Sequence, residues 1–342
     1  MPTQTLGVTF RYSRTIGRGD QSGTGFSYPV AMARGEEDLM YVLSRSYETR
    51  PDSMRVTICT TGEEYIGEFG KGAPGRNETP YPDAMVWPTS IALDQDGQVY
   101  VADDWLHRIT IYDGDGELIG NWGVNGSGDG ELNGPSGLAF DGDNNLLLVD
   151  SGNNRIQKFT KDGKFLAQWG QAGSADGEFN LPWGIDIDSK GDVYVADWRN
   201  DRIQKFTPDG QFLKKFGTSG NGDGELNRPT GVAVDDGGIV YVTDYGNDRL
   251  QVFDGDGRFL TTMLGEATMS KWGQTKLDAN PDMWSERGVA HGLDREKLFW
   301  GPIAVEVDDD GQIFVVESSR NRIQVYSKQD PFFLGKYDGG RL

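Results

Sequence analysis

The sequence predicts an all-β fold, a single six-bladed β-propeller that spans residues 1–342. Three observations predict it: a repeat of 47 residues, strand-like runs within each repeat, and Asp/Gly turns between those runs. Glycine accounts for 49 residues, and the hydrophobic fraction is only 36%. Such a composition favours many short strands joined by tight turns, because glycine adopts positive φ at low cost.

Each central repeat begins close to a proline and contains four runs that alternate apolar and polar residues. Successive prolines lie 47 residues apart, at Pro88, Pro135, Pro182 and Pro229. The unit that starts at Leu181 reads "LPWGIDIDSKGDVYVADWRNDRIQKFTPDGQFLKKFG". In this unit "VYVAD" and "RIQKF" are typical of half-buried strands, and "DSKG" and "PDG" are typical of tight hairpin turns.

Two more divergent units flank these four, so blades are predicted to start at about residues 29, 88, 135, 182, 229 and 302. Where the other units have an aspartate, the first unit is aligned with Arg45 and the last unit with Glu317. A four-stranded sheet cannot bury both of its faces alone. Six such sheets are therefore expected to pack around a central channel.

The pattern P-x-G-[IVL]-x-[VIF]-D, followed by V-Y-V-[AT]-D-x-x-N-x-R-[IL]-Q-x-F, resembles the NHL repeat. The four central units match it closely and the two flanking units match it less well. The resemblance implies a six-bladed propeller. It does not imply one function, because NHL folds serve as protein-binding scaffolds, RNA readers and enzymes.

The last blade is expected to be completed by a strand from one end of the chain. Gly17 precedes Pro29 by the same 12 residues that separate Gly123 from Pro135, so residues 9–17 are predicted to be the outer strand of the last blade. The segment "FFLGKY", residues 332–337, suits the same place. The sequence leaves both alternatives open.

Residues 266–300 interrupt the repeat with a long insertion, and residues 71–87 form a shorter extension. A helix is predicted after Asn280, a suitable N-cap, with Pro281 at its first position. The insertion carries nine large apolar residues, too many to remain solvated. It is predicted to cover the channel as a lid, with a homo-oligomer contact as the alternative. The nine are Met269, Trp272, Leu277, Met283, Trp284, Leu293, Leu298, Phe299 and Trp300.

The charge of the chain argues against two classes of partner. A formal net charge of −20 repels nucleic-acid phosphates and anionic membranes, so neither is expected as a partner. The N-terminus lacks the apolar segment of a secretory signal, and no run approaches the roughly 20 apolar residues of a membrane span. A cytoplasmic location is therefore expected. The single cysteine, Cys59, excludes an internal disulfide.

The loop between the second and third strands begins with aspartate and ends with arginine in four blades, as in Asp197 and Arg202. This pair is expected to tie the loop ends together by charge-assisted hydrogen bonds. Side chains that vary between blades are the better functional candidates. A small anionic or planar ligand, or a protein, is expected to bind them; alternatively, they plug the channel mouth. The candidates are Arg45, Tyr47, Trp105, His107, Trp183, Trp198, Arg199, Tyr245 and Arg320.

Catalytic and metal signatures are weak. With only His107 and His291, the chain cannot form the three-histidine zinc site that resemblance to an amidating-lyase propeller would imply. Resemblance to a gluconolactonase-type propeller implies a divalent cation, calcium or zinc, with Asn153, Asn200 and Glu317 as candidate ligands. The favoured interpretation is a recognition or scaffold module. The alternative is a metal-dependent hydrolase or lyase with its site at the channel.

Overall fold

The computed structural model describes residues 8–46, 53–72 and 82–329. They form a ring of six four-stranded antiparallel sheets, with 48% of residues in strands, and the predicted all-β six-bladed propeller is confirmed. The first strands of the blades line the channel and contact one another around the ring, the last contacting the first. Among the described residues, no helix is long and apolar enough to cross a membrane.

Blades are numbered in chain order, and their strands run from the channel outward. Blade one consists of Pro29–Arg34, Leu39–Ser44, Arg55–Thr60 and Tyr65–Phe69. Blade two consists of Pro88–Leu93, Val99–Asp103, Arg108–Tyr112 and Leu118–Trp122. Blade three consists of Pro135–Phe140, Asn145–Asp150, Arg155–Thr160 and Phe165–Trp169.

Blade four consists of Ile185–Ile187, Val193–Asp197, Arg202–Phe206 and Phe212–Phe216. Blade five consists of Pro229–Val234, Val240–Asp244, Arg249–Phe253 and Phe259–Met263. Blade six consists of Pro302–Val307, Gln312–Glu317, Arg322–Gln329 and Thr9–Ile16. A short parallel pair, Thr218–Ser219 with Glu225–Leu226, lies in the linker between blades four and five.

The outer strand of blade six comes from the start of the chain. Thr9–Ile16 pairs antiparallel with Arg322–Gln329, so the two ends of the described chain share one sheet. The rival segment, residues 332–337, lies outside the described residues. Pairing of two distant parts of the chain closes the ring.

Strand register corrects one alignment in blade one. Pro29 pairs with Ser44, as Pro135 pairs with Asp150 in blade three. The residue that replaces the repeated aspartate is therefore Ser44, and the assignment of Arg45 to that position is wrong by one residue. The degenerate loop of this unit offers no aspartate to anchor the alignment.

The Asp/Gly turns between the third and fourth strands are required by packing as well as by backbone conformation. Gly210 has φ +80°, and a Cβ there would lie 2.5 Å from the ring of Trp169 in the preceding blade. Gly163 meets Trp122 in the same way. An aromatic residue from one blade thus seals against the turn of the next blade.

The insertion contains two α-helices, Lys271–Asp278 and Pro281–Val289. The second begins at Pro281 after Asn280, as predicted, although the Asn280 side chain donates and accepts no capping hydrogen bond. The first was not predicted; Ser270 caps it by accepting a hydrogen bond from the Gly273 N–H at 3.0 Å.

The insertion packs at the junction of blades six and one. Trp272 is 6% exposed, its ring contacts Phe26 edge-on at 5.8 Å, and its Nε1 donates to the Glu63 carbonyl oxygen at 2.7 Å. Glu63 stands in the blade-one turn where blades two to five have glycine, and its carboxylate accepts hydrogen bonds from the N–H groups of Gly17 and Lys271. The insertion therefore reinforces the place where the ring closes.

Candidate binding cavity on the loop face

The loop between the second and third strands of blade four is held by four side chains, Asp197, Asn200, Arg202 and Gln204, which we call the bracket. Asp197 is fully buried, and its Oδ2 accepts hydrogen bonds from Arg202 Nε at 2.7 Å and Asn200 Nδ2 at 2.8 Å. Gln204 Nε2 donates to the same oxygen at 3.1 Å. The guanidinium also donates to three carbonyl oxygens of the preceding linker, so the bracket ties the loop to that linker.

The bracket recurs in full in blades three and five, and blade six keeps its carboxylate–guanidinium contact with Arg320 at the asparagine position. The ion pairs are Asp150–Arg155 at 2.8 Å, Asp244–Arg249 at 2.7 Å and Glu317–Arg322 at 2.6 Å. The expected role of the Asp–Arg pair in tying loop ends together is thus seen in blades three, four and five, and in blade six with Glu317 in place of the aspartate. These carboxylates belong to the scaffold.

Blade two departs from the pattern. Arg108 Nη2 donates to the carbonyl oxygens of Pro82 at 2.9 Å and Ala84 at 2.8 Å. Asp103 instead accepts hydrogen bonds from the backbone N–H groups of the linker and of its own loop. Those N–H groups belong to Val86, Trp87, Trp105 and Leu106.

The three residues considered as cation ligands are engaged in brackets of separate blades. Asn153 Nδ2 donates to Asp150 at 2.8 Å, and Asn200 Nδ2 donates to Asp197 at 2.8 Å. Glu317 accepts from Arg322 and from Gln324 Nε2, the latter at 2.8 Å. Among the described residues, no group of three or more His, Cys, Asp or Glu side chains could hold a metal ion.

His107 has a scaffold role that the sequence did not reveal. It occupies the last loop position with φ +51°, and its Nδ1 accepts a hydrogen bond from the Gly134 N–H of the next linker at 3.1 Å. The equivalent Asn154 and Asp201 also have positive φ, and their side chains accept from the N–H groups of Leu181 and Arg228 at 2.7 Å. We call this contact the interblade latch.

The latch determines what the imidazole of His107 can do. Because Nδ1 accepts the Gly134 N–H, a neutral ring carries its proton on Nε2. That nitrogen can donate a hydrogen bond but has no lone pair with which to take a proton. In this geometry His107 is a poor general base.

Three of the tryptophans predicted to bind a ligand line one cavity of about 440 Å³ on the loop face. Trp105 comes from the loop of blade two and is 45% exposed. Trp183 follows the proline of blade four, and Trp198 comes from the loop of the same blade; their ring centroids are 6.4 Å apart at an interplanar angle of 47°. The structure therefore brings Trp105, Trp183 and Trp198 to one site.

Two arginines lie against the ring of Trp198. Arg199 Cζ lies 5.2 Å from the Trp198 ring centroid and Arg228 Cζ lies 5.6 Å from it. Cation–π contact orients each planar guanidinium and leaves its N–H groups available to anions. Arg228 was not predicted, because it lies in the linker and is not part of the loop that the pattern singled out.

The polar wall of the cavity includes Asp104, which sequence reasoning did not select. Burial, and after it the neighbouring Asp103 carboxylate, raises the pKa of Asp104. His107 and Asn133 line the cavity beside it. Asp104 immediately follows the repeated aspartate, at a position that is Ser151 in blade three, so its difference from the repeat was the available signal.

Arg45, Tyr245 and Arg320 are not among the described residues that line this cavity. Arg45 is only 8% exposed and lies 4.6 Å from the Trp87 ring centroid and 5.5 Å from that of Tyr28. The Arg45 guanidinium is thus packed against these two rings, and Tyr245 lies beside it. Tyr47 lies outside the described residues.

Arg320 faces the insertion. Its Cζ lies 5.0 Å from the Trp300 ring centroid, and its Nη2 donates to the Arg295 carbonyl oxygen at 3.1 Å. The aromatic cavity has no lining residue from the described insertion, residues 266–300. The prediction that the insertion is a lid over Trp105, Trp183 and Trp198 is therefore wrong, because Trp272 anchors it at blade one.

Comparison with known proteins supports the repeat assignment. The NHL repeat model matches residues 85–112, 132–159, 179–206, 226–253 and 299–326. No curated protein sequence matches the chain.

Solved structures with the same fold include proteins of different description. A protein of unknown function from Bacteroides thetaiotaomicron is 18% identical, with a TM-score of 0.63, over 94% of this chain and 76% of that one. A streptogramin B lyase is 12% identical, with a TM-score of 0.57, over 96% and 100%. Virginiamycin B lyase from Staphylococcus aureus is 13% identical, with a TM-score of 0.57, over 93% and 99%. At these identities the likeness concerns the fold alone.

Proposed function

We propose that this chain, a six-bladed propeller built from NHL repeats, is a recognition module that binds a small planar anion on its loop face. The observation that carries the proposal is the cavity of about 440 Å³ walled by Trp105, Trp183 and Trp198. A cavity of this size lies within the range of small-molecule sites. Tryptophan faces favour planar rings, which stack on them with little loss of side-chain entropy.

The anionic character of the ligand follows from the two cations that lie against Trp198, one of the lining residues. Arg199 and Arg228 are both exposed and both lie against Trp198, so a carboxylate on a stacked ring comes within reach of their N–H groups. The whole chain is strongly acidic, and cations placed beside an aromatic wall are therefore a local exception. Asp104 also lines the cavity, and its carboxylate gives such a ligand a defined orientation by repelling the charged end.

The test is a titration with 2-naphthoate followed by tryptophan fluorescence and calorimetry, with 2-naphthylmethanol as the neutral match. We expect saturable binding of 2-naphthoate and weaker binding of the alcohol. Trp183→Ala should weaken 2-naphthoate binding by about 3-fold to 10-fold, the loss of one aromatic contact. Trp300→Ala, an exposed tryptophan outside the cavity, is the control. Equal effects of the two substitutions, or no saturation, would contradict the proposal.

A second candidate function is a lyase reaction at the same cavity. Two observations favour it: Asp104 and His107 both line the cavity, and lyases are among the structures that share the fold. The latch at His107 weighs against it, because the proton-accepting nitrogen is already engaged. Incubation with virginiamycin B, followed by chromatography of the small molecule, separates the candidates. A product that the protein forms, and that Asp104→Asn abolishes, would put the lyase first.

A further inference from the structure

The opposite end of the channel carries two acidic residues that depart from the repeat. The fourth residue after the repeat proline is alanine in four blades: Ala33, Ala92, Ala139 and Ala233. In blade four it is Asp186, and in blade six it is Glu306. A scaffold that works with alanine at this position does not need a carboxylate there.

Both carboxylates face a cavity of about 660 Å³ that opens on the hairpin face, away from the tryptophans. Each is enclosed by protein, and the part that stays accessible borders this cavity. Asp186 Oδ2 accepts a hydrogen bond from the Val234 N–H of blade five at 2.7 Å. The Glu306 carboxylate accepts none from the described residues, although it lies close enough to Asp186 for the two charges to repel each other.

The mouth of this cavity has the same sign of charge. Glu36, Glu37 and the run Asp308–Asp310 lie around it, and Arg34 is the one basic residue among the described residues of its lining. Arg34 is held by its own hairpin, donating to the Leu39 carbonyl oxygen at 3.2 Å, and its Cζ lies 5.1 Å from the Phe314 ring centroid. An acidic mouth above two partly buried carboxylates focuses a field that attracts cations into the channel.

We propose that this end of the channel binds a primary alkylammonium group between Glu306 and Asp186. An ammonium carries three N–H donors. The unpartnered Glu306 oxygens can accept hydrogen bonds from them, and the charge of Asp186 attracts the cation. The alkyl part lies against the apolar wall formed by Ile91, Leu138 and Val232. This inference goes beyond the proposed function, since it concerns the other end of the channel and a ligand of opposite charge.

A hard divalent cation fits the same residues less well. Calcium takes six to eight oxygen ligands and magnesium near-ideal octahedral geometry. Two carboxylates supply few of these, and one Asp186 oxygen is already engaged. Thr89 and Ser136, whose hydroxyls donate to backbone carbonyl oxygens at 2.8 Å and 3.0 Å, are not among the described residues that line this cavity.

The test is calorimetric titration of the full chain with pentylamine, with pentan-1-ol as the neutral match and calcium chloride and magnesium chloride as the rival ligands. We expect saturable, salt-sensitive binding of pentylamine alone. Glu306→Ala and Glu306→Gln should each weaken it at least about 10-fold, the effect of losing one charged hydrogen bond. Asp209→Ala, at an exposed turn, should change it less than about 2-fold.

The pH dependence of binding provides a second readout. Burial, with a smaller contribution from the charge of Asp186, raises the pKa of Glu306 to about 8. Burial also raises the pKa of Asp186 to about 7, with a smaller contribution from the charge of Asp188. Pentylamine binding should therefore tighten between pH 6 and pH 9, as these carboxyls lose their protons while the amine stays charged. Equal binding of pentan-1-ol, tighter binding of calcium or magnesium, no saturation, or full affinity in both Glu306 variants would overturn the proposal. None of these results would bear on the proposed binding of a planar anion at the aromatic cavity.

Discussion

The two ends of the channel are built from the same repeat and carry opposite chemistry. On the loop face, Trp105, Trp183 and Trp198 line one cavity, and Arg199 and Arg228 lie against the Trp198 ring. On the hairpin face, the partly buried carboxylates of Asp186 and Glu306 lie below an acidic mouth. The inner strand of blade four contributes to both ends, with Asp186 at one and Trp183, next to its start, at the other.

The difference teaches where a repeat protein has freedom to vary. Bracket and latch residues are engaged in hydrogen bonds that hold the blades, so their chemistry is used by the fold. Positions between the bracket and latch residues are not required for these hydrogen bonds, and their residues differ from blade to blade. Function is therefore to be sought at departures from the repeat, such as Asp186 and Glu306, and less at its most regular charges.

The largest expected effect comes from breaking the bracket on which both ends depend. Asp197→Ala leaves the buried Arg202 guanidinium without its carboxylate, which should cost about 3–5 kcal/mol of unfolding free energy. Urea denaturation measures it, with Asp209→Ala, at an exposed turn, as the control. A cost below about 1 kcal/mol would mean that the linker carbonyl oxygens alone hold Arg202.

The insertion should matter to stability and to neither end of the channel. Trp272→Ala removes a buried ring and its hydrogen bond to Glu63, which should cost about 3 kcal/mol. Binding of 2-naphthoate and of pentylamine by the folded variant should not change. Trp300→Ala, 53% exposed, should cost far less. Loss of 2-naphthoate binding in the Trp272 variant alone would restore the lid interpretation.

The hairpin end should be stabilised when its acid is removed. The pKa of Glu306 is raised to about 8, so its folded-state penalty is absent below about pH 4.5 and complete above about pH 8. Glu306→Ala should therefore raise the unfolding free energy by about 1–4 kcal/mol at pH 9 and by little at pH 4.5. Thermal unfolding at the two pH values measures it. A pH-independent loss of stability would give Glu306 a structural role.

The smallest expected effect distinguishes the interblade latch role of His107 from a catalytic role on the loop face. His107→Asn places at this position the residue found at 154, with a side-chain oxygen that can accept the Gly134 N–H. Stability should change by less than about 0.5 kcal/mol, whereas His107→Ala should lose about 1 kcal/mol. Chemical denaturation of both variants makes the comparison. If His107→Asn abolished a measured lyase activity, the imidazole would have a role beyond the latch.

Much of the fold could be predicted because the same sequence pattern occurs in several units, which can be compared with one another. Four copies of the same proline and Asp/Gly turns were enough to place blades, and Asn280 with Pro281 was enough to place one helix. The degenerate first unit misled the alignment at Arg45, where only strand register identified Ser44. Pairwise contacts between units, such as His107 with Gly134, leave no trace in a pattern read one repeat at a time.

The sequence by itself determined the blade number, the turns and the residues that depart from the repeat, because strand periodicity and turn chemistry are local. Only the tertiary structure decided which departures meet. It gathered Trp105, Trp183 and Trp198 from two blades, buried Arg45 between Trp87 and Tyr28, and directed Trp272 to the ring junction. Such contacts depend on the radial packing of whole sheets, which sets distances between residues that are far apart along the chain.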